Sequence, residues 1–461
     1  MCPAAAHPAS FRDPSGFVFR RDQVLYRQVN RSYQEDWTLL NGSGLLKQAI
    51  DYGWLVPHEV VDLRWALTAE AIACLKPQEV PYVSYPYEWS FSQLKDAALL
   101  TLELMELSMK YGMVLKDASA FNVAFHHAQP VFIDTLSFEK YVEGEPWVAY
   151  QQFCRHFLAP LALTHYLGPE NLRLSQLHID GGPLKLASKT LPFKTRFTPS
   201  LAMHIHLHAK GTEQVATTEE KVKAHVSKLG LESLLSSLKG AVQRLKWQPK
   251  GTQWADYYCD TNYSTEADDS KASIVRRFLA VTGQRQGQCW DIGANIGHYT
   301  RIAKEAGFDC VAFDIDPAAI DRLYSQAKAN KEQGITPVVL DLTNPSPSIG
   351  WALTERDSFE KRGRCQVVMA LALVHHLAIG NNVPLQRIAE FFSKLGSWLI
   401  LEFVPKSDSQ VKRLLASRKD IFPQYTLEGF EEAFAPHFDV IDRQPVADSD
   451  RVMFLLRCKT S

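Results

Sequence analysis

Three aspartates, each at the end of one of three successive β-prone runs, constrain this chain more than any other feature. Asp291 lies in Cys289-Trp-Asp-Ile-Gly-Ala-Asn-Ile-Gly297, Asp314 follows the run Asp309 to Phe313, and Asp341 follows Ile335 to Leu340. Gly293 and Gly297 give the first turn the freedom to bring its backbone close to a ligand, with a helix starting directly behind it. Ala294, Asn295 and Ile296 separate the two glycines, so the spacing is not the Gly-x-Gly-x-x-Gly of dinucleotide-binding turns. Taken singly, each aspartate also suits a helix N-cap or a turn. Asp316 is the expected cap of the helix that begins at Pro317, and Asp314 is placed to accept from a ribose diol.

The surrounding pattern has one architecture. Cys289 to Ile292 is a strand, followed by a helix to Ala306. A second strand precedes the helix Pro317 to Glu332, and a third ends at Asp341. Gln366 to Val374 is a fourth strand, Pro384 to Lys394 a helix, Trp398 to Phe403 a fifth strand and Tyr425 to Phe434 another helix. Phe438 to Arg443 and Arg451 to Arg457 close the chain as an antiparallel-type pair. The fold class is α/β, a Rossmann-like doubly wound sheet with its switch point beside the first of these strands.

Asp291-x-Gly293-x-x-x-Gly297, with Asp314 and Asp341 at the next two strand ends, resembles the cofactor site of class I S-adenosylmethionine-dependent methyltransferases. The resemblance covers about residues 255 to 461. It implies S-adenosyl-L-methionine as cofactor, held by Asp291, Gly293, Asn295, Gly297, Asp314, Asp341, Leu342 and Ala370. Trp254-Ala-Asp-Tyr257-Tyr258 falls where such enzymes place a lid, or packs a domain edge. After the fourth strand stand His375 and His376, with no Asn/Asp-Pro-Pro-Tyr/Phe motif there. An imidazole suits the removal of a proton from a hydroxyl acceptor at neutral pH, and equally packs or caps a helix. Glu402, ending the fifth strand, is the third candidate for catalysis or substrate orientation, and Asn381-Asn382 would border the acceptor.

The first half reads differently. Phe17 to Arg20 and Val24 to Val29 form a hairpin, Leu39 to Tyr52 has helical spacing, and Val80 to Tyr87 is strand-like with prolines at 81 and 86. From Ser92 to Tyr111 apolar residues recur at three and four, which predicts a buried helix. Asp117, Asn122 five residues on, a short hairpin and Asp134 then make a phosphotransfer pattern. Its first Asp would orient an acceptor hydroxyl, and the Asn and last Asp would hold magnesium. The segment resembles the catalytic and metal-binding loops of protein-kinase-like and aminoglycoside-phosphotransferase-like folds. Leu115 replaces the motif histidine, Thr135-Leu136 replace Phe-Gly, and no glycine-rich loop precedes them. Asp117, Asn122 and Asp134 are therefore read as vestigial phosphotransfer residues of a degenerate α+β kinase-like domain, with Arg27 near the usual strand-three lysine. Lys185 to Pro199 reads as a surface connection. His204, His206 and His208 would share one strand face, a solvated edge sooner than a metal site. Thr217 to Trp247, with Thr217-Thr218-Glu-Glu at its start, reads as a helical linker.

The expected domains are thus a kinase-like domain over 14–210, a linker over 211–250 and a methyltransferase domain over 251–461. Fifty basic against 51 acidic residues give a net charge of -1, which offers no electrostatic hint of a nucleic acid partner or of an anionic membrane, although locally basic faces remain open. Eight scattered cysteines without a Cys-x-x-Cys pair argue against zinc and a disulfide framework. The start Met-Cys-Pro-Ala-Ala-Ala-His-Pro lacks a signal-peptide pattern and no apolar run is long enough to span a bilayer, so the expected location is cytoplasmic. The expected function is O-methylation of a small-molecule or glycan acceptor, the first domain serving as a substrate-binding or regulatory module. A bifunctional kinase–methyltransferase and a non-catalytic S-adenosylmethionine-binding scaffold are the alternatives.

Overall fold

The computed structural model describes residues 5–210, 225–248, 265–416 and 418–459. They divide into two compact units. The first is drawn from Met1–Phe125, Gln129–Gln248 and Ser348–Arg356, the second from His126–Ala128, Pro249–Pro347 and Asp357–Ser461.

In the first unit, β1 (Gly16–Arg21), β2 (Val24–Asn30), β3 (His58–Val61) and β4 (Ala71–Pro77) form a four-stranded antiparallel sheet of order β1-β2-β4-β3. Asp22 and Gln23, both at positive φ, turn the expected hairpin. The helical run after it is two helices, Gln34–Gly42 and Leu45–Asp51, split at Gly44, whose φ of 90° an L side chain rarely adopts. The helix Phe91–Lys110 follows, started by a capping box of Ser90 and Gln93 and buried along Leu94, Ala97, Ala98, Leu102 and Met105. Beyond it come β5 (Met113–Leu115), the hairpin of β6 (Val123–His126) and β7 (Gln129–Phe132), and β8 (Phe138–Lys140), which pairs with β5.

Several expectations for this half are corrected. Val80 to Tyr87 is not a strand. It is irregular, with a short 3-10 turn at Pro86–Glu88, because each proline lacks the N–H that a ladder needs. The histidine run is helical, a π-turn over Ala202–Leu207 continuing the turn Pro199–Leu201. His204 is buried between the Tyr150 hydroxyl at 2.8 Å and the Ser237 hydroxyl at 2.9 Å. The 185–199 stretch contains the helix Leu184–Thr190 and a 3-10 segment, Phe193–Phe197. The helix Lys228–Arg244, in the expected linker, belongs to the first unit, where Lys239 pairs with Glu106 on Phe91–Lys110 at 2.9 Å. Its proposed Thr217-Thr218 start lies outside the described residues.

The second unit is built on a seven-stranded sheet. Its strands are β9 (Gln288–Ile292), β10 (Asp309–Asp314), β11 (Ile335–Val339), β12 (Cys365–Ala370), β13 (Gly396–Phe403), β14 (Phe438–Pro445) and β15 (Val452–Cys458). Their order is β11-β10-β9-β12-β13-β15-β14. The first five are parallel, and β15 runs antiparallel between β13 and β14. This is the Rossmann-like doubly wound α/β class expected, with the switch point between β9 and β12. Alternation decides the faces. Cys289, Cys310, Val367, Met369, Ile400 and Leu455 point into one apolar layer, closed by the helices Thr265–Val281 and His298–Glu305. Trp290 and Phe313 point to the other face, where both meet the Phe359 ring within 5.4 Å. Two helices escaped the sequence pattern: Thr265–Val281 and Ser409–Leu415. β12 also ends at Ala370, four residues before the expected Val374.

Candidate functional site

Parallel strands all end on one side of the sheet, so the tips of β9, β10, β11, β12 and β13 form one edge. Asp291, Asp314, Asp341, His375 and His376 are at that edge. At the tip of β9, Asp291 is buried and its Oδ2 accepts the Thr300 hydroxyl at 2.6 Å. Burial raises its carboxyl to about 6, against the Thr300 hydrogen bond and with the Asp314 charge adding to the rise. The turn that follows is fastened to β10, because the amides of Gly293 and Ala294 both donate to Phe313 O, at 2.8 and 2.9 Å. Gly293 (φ 86°), Asn295 (φ 50°) and Gly297 (φ 80°) are all left-handed. A Cβ at Gly297 would lie 2.6 Å from Leu323 Cδ1, so this glycine is needed for close packing as well as for conformation.

Asp314 closes β10. Its Oδ2 accepts the Asn295 amide at 2.8 Å and its Oδ1 the Asp316 amide at 2.9 Å. The carboxylate is thereby locked in orientation, and each oxygen keeps a second lone pair. Burial raises this group to about 6 as well, with the backbone amides of Asp316 and Asn295 opposing. Asp316 caps the helix Pro317–Ala329 by accepting the Ala318 amide at 2.8 Å, as the sequence suggests. Beyond β11, Asp341 Oδ1 accepts the amide and the hydroxyl of Thr343 at 2.9 and 2.6 Å, and Leu342 beside it is half-buried. Ala370 is fully buried at the tip of β12.

After β12, Ala372 adopts φ 51° and the chain enters a π-turn, His376–Gly380. Such turns interrupt helical hydrogen bonding and recur at functional positions. His375 is 1% exposed, with neither ring nitrogen hydrogen-bonded. Its ring lies 4.0 Å from that of His376. Burial drives His375 well below the ordinary imidazole range, with His376, Arg451 and Lys271 adding to the drop. Burial, then Arg451, lowers His376 to about 4. Asn381 donates to His376 O at 2.9 Å, and Asn382 accepts from Arg418 at 3.0 Å.

Glu402, at the end of β13, is fully buried and committed. Its Oε2 meets Lys271 Nζ at 2.6 Å and its Oε1 meets Arg451 Nη1 at 3.3 Å, while Arg451 Nε reaches Asp408 at 2.8 Å. Sequence reasoning missed Lys271, Asp408 and Arg451. They come from the helix Thr265–Val281, the cap of Ser409–Leu415 and the turn before β15, and no local spacing links them. The expected lid, Trp254 to Tyr258, lies outside the described residues.

In the first unit, Asp117, Asn122 and Asp134 gather around the loop between β5 and β7. Asp117 Oδ1 accepts the Ser119 amide at 2.9 Å, and burial raises its carboxyl. Asn122 Nδ2 reaches the Ser137 hydroxyl at 3.3 Å. Asp134 accepts from Arg27, from the Leu136 amide at 3.1 Å and from the Ser137 hydroxyl at 2.8 Å. Burial alone would raise Asp134, but Arg27 and these hydrogen bonds outweigh it and hold the group below the usual range. Arg27 and the Leu136 amide together take the Oδ1 atom of Asp134, so that oxygen meets a magnesium ion only if Arg27 leaves. Among the described residues, no group of three or more His, Cys, Asp or Glu side chains is placed to hold a metal.

No family model matches the chain. Over 455 residues it is 32% identical to the nodulation protein NoeA of Rhizobium meliloti (strain 1021), across 96% of this chain and 94% of that one. The chain belongs to the NoeA family. Three solved structures resemble this NoeA-family chain over less than half its length. N-methyltransferase NodS from Bradyrhizobium japonicum WM9 covers 43% of it, with 99% of its own chain matched, 13% identity and a TM-score of 0.32. Magnesium protoporphyrin IX methyltransferase (ChlM) from Synechocystis PCC 6803, solved with bound SAH, covers 44%, with 92% of its own chain, 17% identity and a TM-score of 0.32. The bifunctional kinase-methyltransferase WbdD covers 44% of this chain at 14% identity and a TM-score of 0.30, and only 41% of WbdD is matched.

Proposed function

We propose that this NoeA-family protein is an S-adenosylmethionine-dependent methyltransferase acting on an oxygen of a small-molecule or glycan acceptor. The observation that carries the reading is the Asp314 carboxylate at the tip of β10, oriented by two backbone amides beside the Asp291–Gly297 turn. Two remaining lone pairs side by side fit the two hydroxyls of a ribose, a geometry that a lone helix cap does not require. Asp291, Gly293, Asn295 and Gly297 would line the amino-acid end of the cofactor, and Asp341, Leu342 and Ala370 its adenine end. Bound there, the cofactor supplies a sulfonium-activated methyl carbon for in-line displacement.

The chain's own part is alignment, exclusion of water and proton removal. His375 is the residue proposed to take the acceptor proton. Its ring is dry, its nitrogens are unpartnered, and the nearby Arg451 and Lys271 disfavour its protonation, so it stands ready as a neutral base. His376 is the neighbour that fixes its ring. Glu402, with both oxygens in ion pairs, would orient the acceptor wall through Lys271 and Arg451 without itself exchanging protons.

The first unit is proposed as an accessory module with vestigial phosphotransfer residues, because Arg27 occupies Asp134. The bifunctional kinase reading requires that pair to open. Calorimetric titration of wild type and Asp314→Ala with S-adenosylmethionine and its demethylated product tests the central claim. Binding by wild type with loss in the variant is expected; no binding, or equal affinity in both, overturns it.

A further inference from the structure

We propose that residues 181–210 of the first unit form a docking face for the anionic surface of a lipid bilayer. The segment contains Lys185, Lys189, Lys194, Arg196 and Lys210 and not one Asp or Glu, in a chain whose overall charge is balanced. All five cationic residues are exposed. On the same segment, Phe193 and Phe197 are 69% and 75% exposed, and Leu186, Met203 and Leu207 are exposed beside them. Phenylalanines this open are costly in water, and a run of large apolar side chains rimmed by cations marks an interaction surface.

The face is built rather than loose. Leu184, Ala187, Leu191, Thr195, Leu201 and Ile205 bury the opposite side of the helix Leu184–Thr190, the turn Phe193–Phe197 and the stretch Pro199–Leu207. His206 ties the three together, its Nδ1 bonded to the Ser188 hydroxyl and its Nε2 to the Thr195 hydroxyl, both at 2.8 Å. The Arg196 guanidinium lies 5.6 Å from the Phe193 ring. The cation lies over the ring, so aromatic and charge share one exposed surface, and a bilayer can take the ring into its acyl boundary while the guanidinium stays among phosphates.

The charge pattern selects the occupant. A second copy of the chain would bring five cations against five. A nucleic acid would use open aromatic platforms, whereas the Phe193 and Phe197 rings meet edge to face at 77° and their neighbours are aliphatic. An anionic bilayer offers both an apolar interior and a negative headgroup layer.

The test is flotation of the full chain with phosphatidylcholine vesicles and with phosphatidylcholine–phosphatidylglycerol vesicles. The expected result is binding to the second kind alone, weakened by salt. Lys194→Gln/Arg196→Gln should lower it by roughly fivefold per charge removed, and Phe193→Ser/Phe197→Ser by about tenfold or more. Each pair removes a different chemistry from exposed positions, and the unfolding midpoint verifies that both variants fold. Absence of wild-type binding to phosphatidylglycerol vesicles overturns the proposal, as does equal binding by both folded variants. Two other results overturn it in favour of a different partner: a dimer in sedimentation that Phe193→Ser/Phe197→Ser dissolves, or single-stranded oligonucleotide binding in place of vesicle binding.

Discussion

Lys271 and Glu402 form an ion pair of 2.6 Å with almost no exposure on either side chain, joining the helix before β9 to the tip of β13. Arg451 takes the other carboxylate oxygen, so one buried anion is shared by two cations. The cluster closes the β13 side of the edge where His375 sits, and Lys271 also lies 4.6 Å above the Tyr299 ring.

Removing one member leaves a buried charge uncompensated. Glu402→Gln should cost on the order of 3 kcal/mol or more, read by chemical denaturation. Lys271→Met should cost less, because Arg451 still answers Glu402. Lys271→Met combined with Glu402→Leu should recover much of the loss. A Glu402→Gln variant as stable as wild type would refute the structural role of the cluster.

Cofactor affinity should fall in acid. In the proposed site Asp314 would accept the diol as the ionised carboxylate, and burial raises its pKa to about 6. Below that value binding must first expel the proton, so Kd should increase roughly tenfold per pH unit. Asp291 titrates near the same point and adds to the slope. Above pH 7 the affinity should be flat. Calorimetry across pH 5 to 8 checks this, and Asp314→Asn should bind weakly with a shallower profile. A flat wild-type profile would contradict the assigned geometry.

His375→Ala should leave cofactor affinity near the wild-type value and lower kcat by roughly 10²- to 10⁴-fold, the usual contribution of a general base. Since burial and its charged neighbours hold His375 well below the imidazole range, the wild-type rate should show no loss from protonation of this residue down to pH 6. Full activity in His375→Ala would remove it from the mechanism.

Gly297→Ala places a side chain at φ 80°, 2.6 Å from Leu323. Strain of about 1–3 kcal/mol is expected from the backbone alone. The melting temperature should drop, and cofactor affinity with it, because the β9 turn must shift. Leu323→Ala added to Gly297→Ala should relieve the clash but not the φ penalty.

In the first unit, ATP with magnesium should leave the melting temperature of wild type unchanged, since Arg27 holds Asp134. Magnesium-dependent stabilisation that disappears in Asp134→Ala would instead favour phosphotransfer.

The parts of this protein that were legible in the sequence are those governed by local chemistry. Gly293 and Gly297 announced a turn because few other residues tolerate that backbone, and Asp291, Asp314 and Asp341 stood out because strand ends are short-range features. Alternation placed the parallel strands, and the period of Phe91–Lys110 placed that helix. The histidines at 204, 206 and 208 misled, since spacing of two suits a strand and only packing against Tyr150 and Ser237 makes it a helix.

What the tertiary structure alone decided is pairing over long chain separations. Lys271 with Glu402, Arg451 with Asp408 and Arg27 with Asp134 join residues 131, 43 and 107 positions apart. No periodicity carries such pairs, because an ion pair is selected by the burial of both partners, and burial belongs to the folded whole. The sequence determined which turn and which strand-end aspartates stand at the sheet edge. The fold determined that His375 stands there dry and that Asp134 is answered by an arginine.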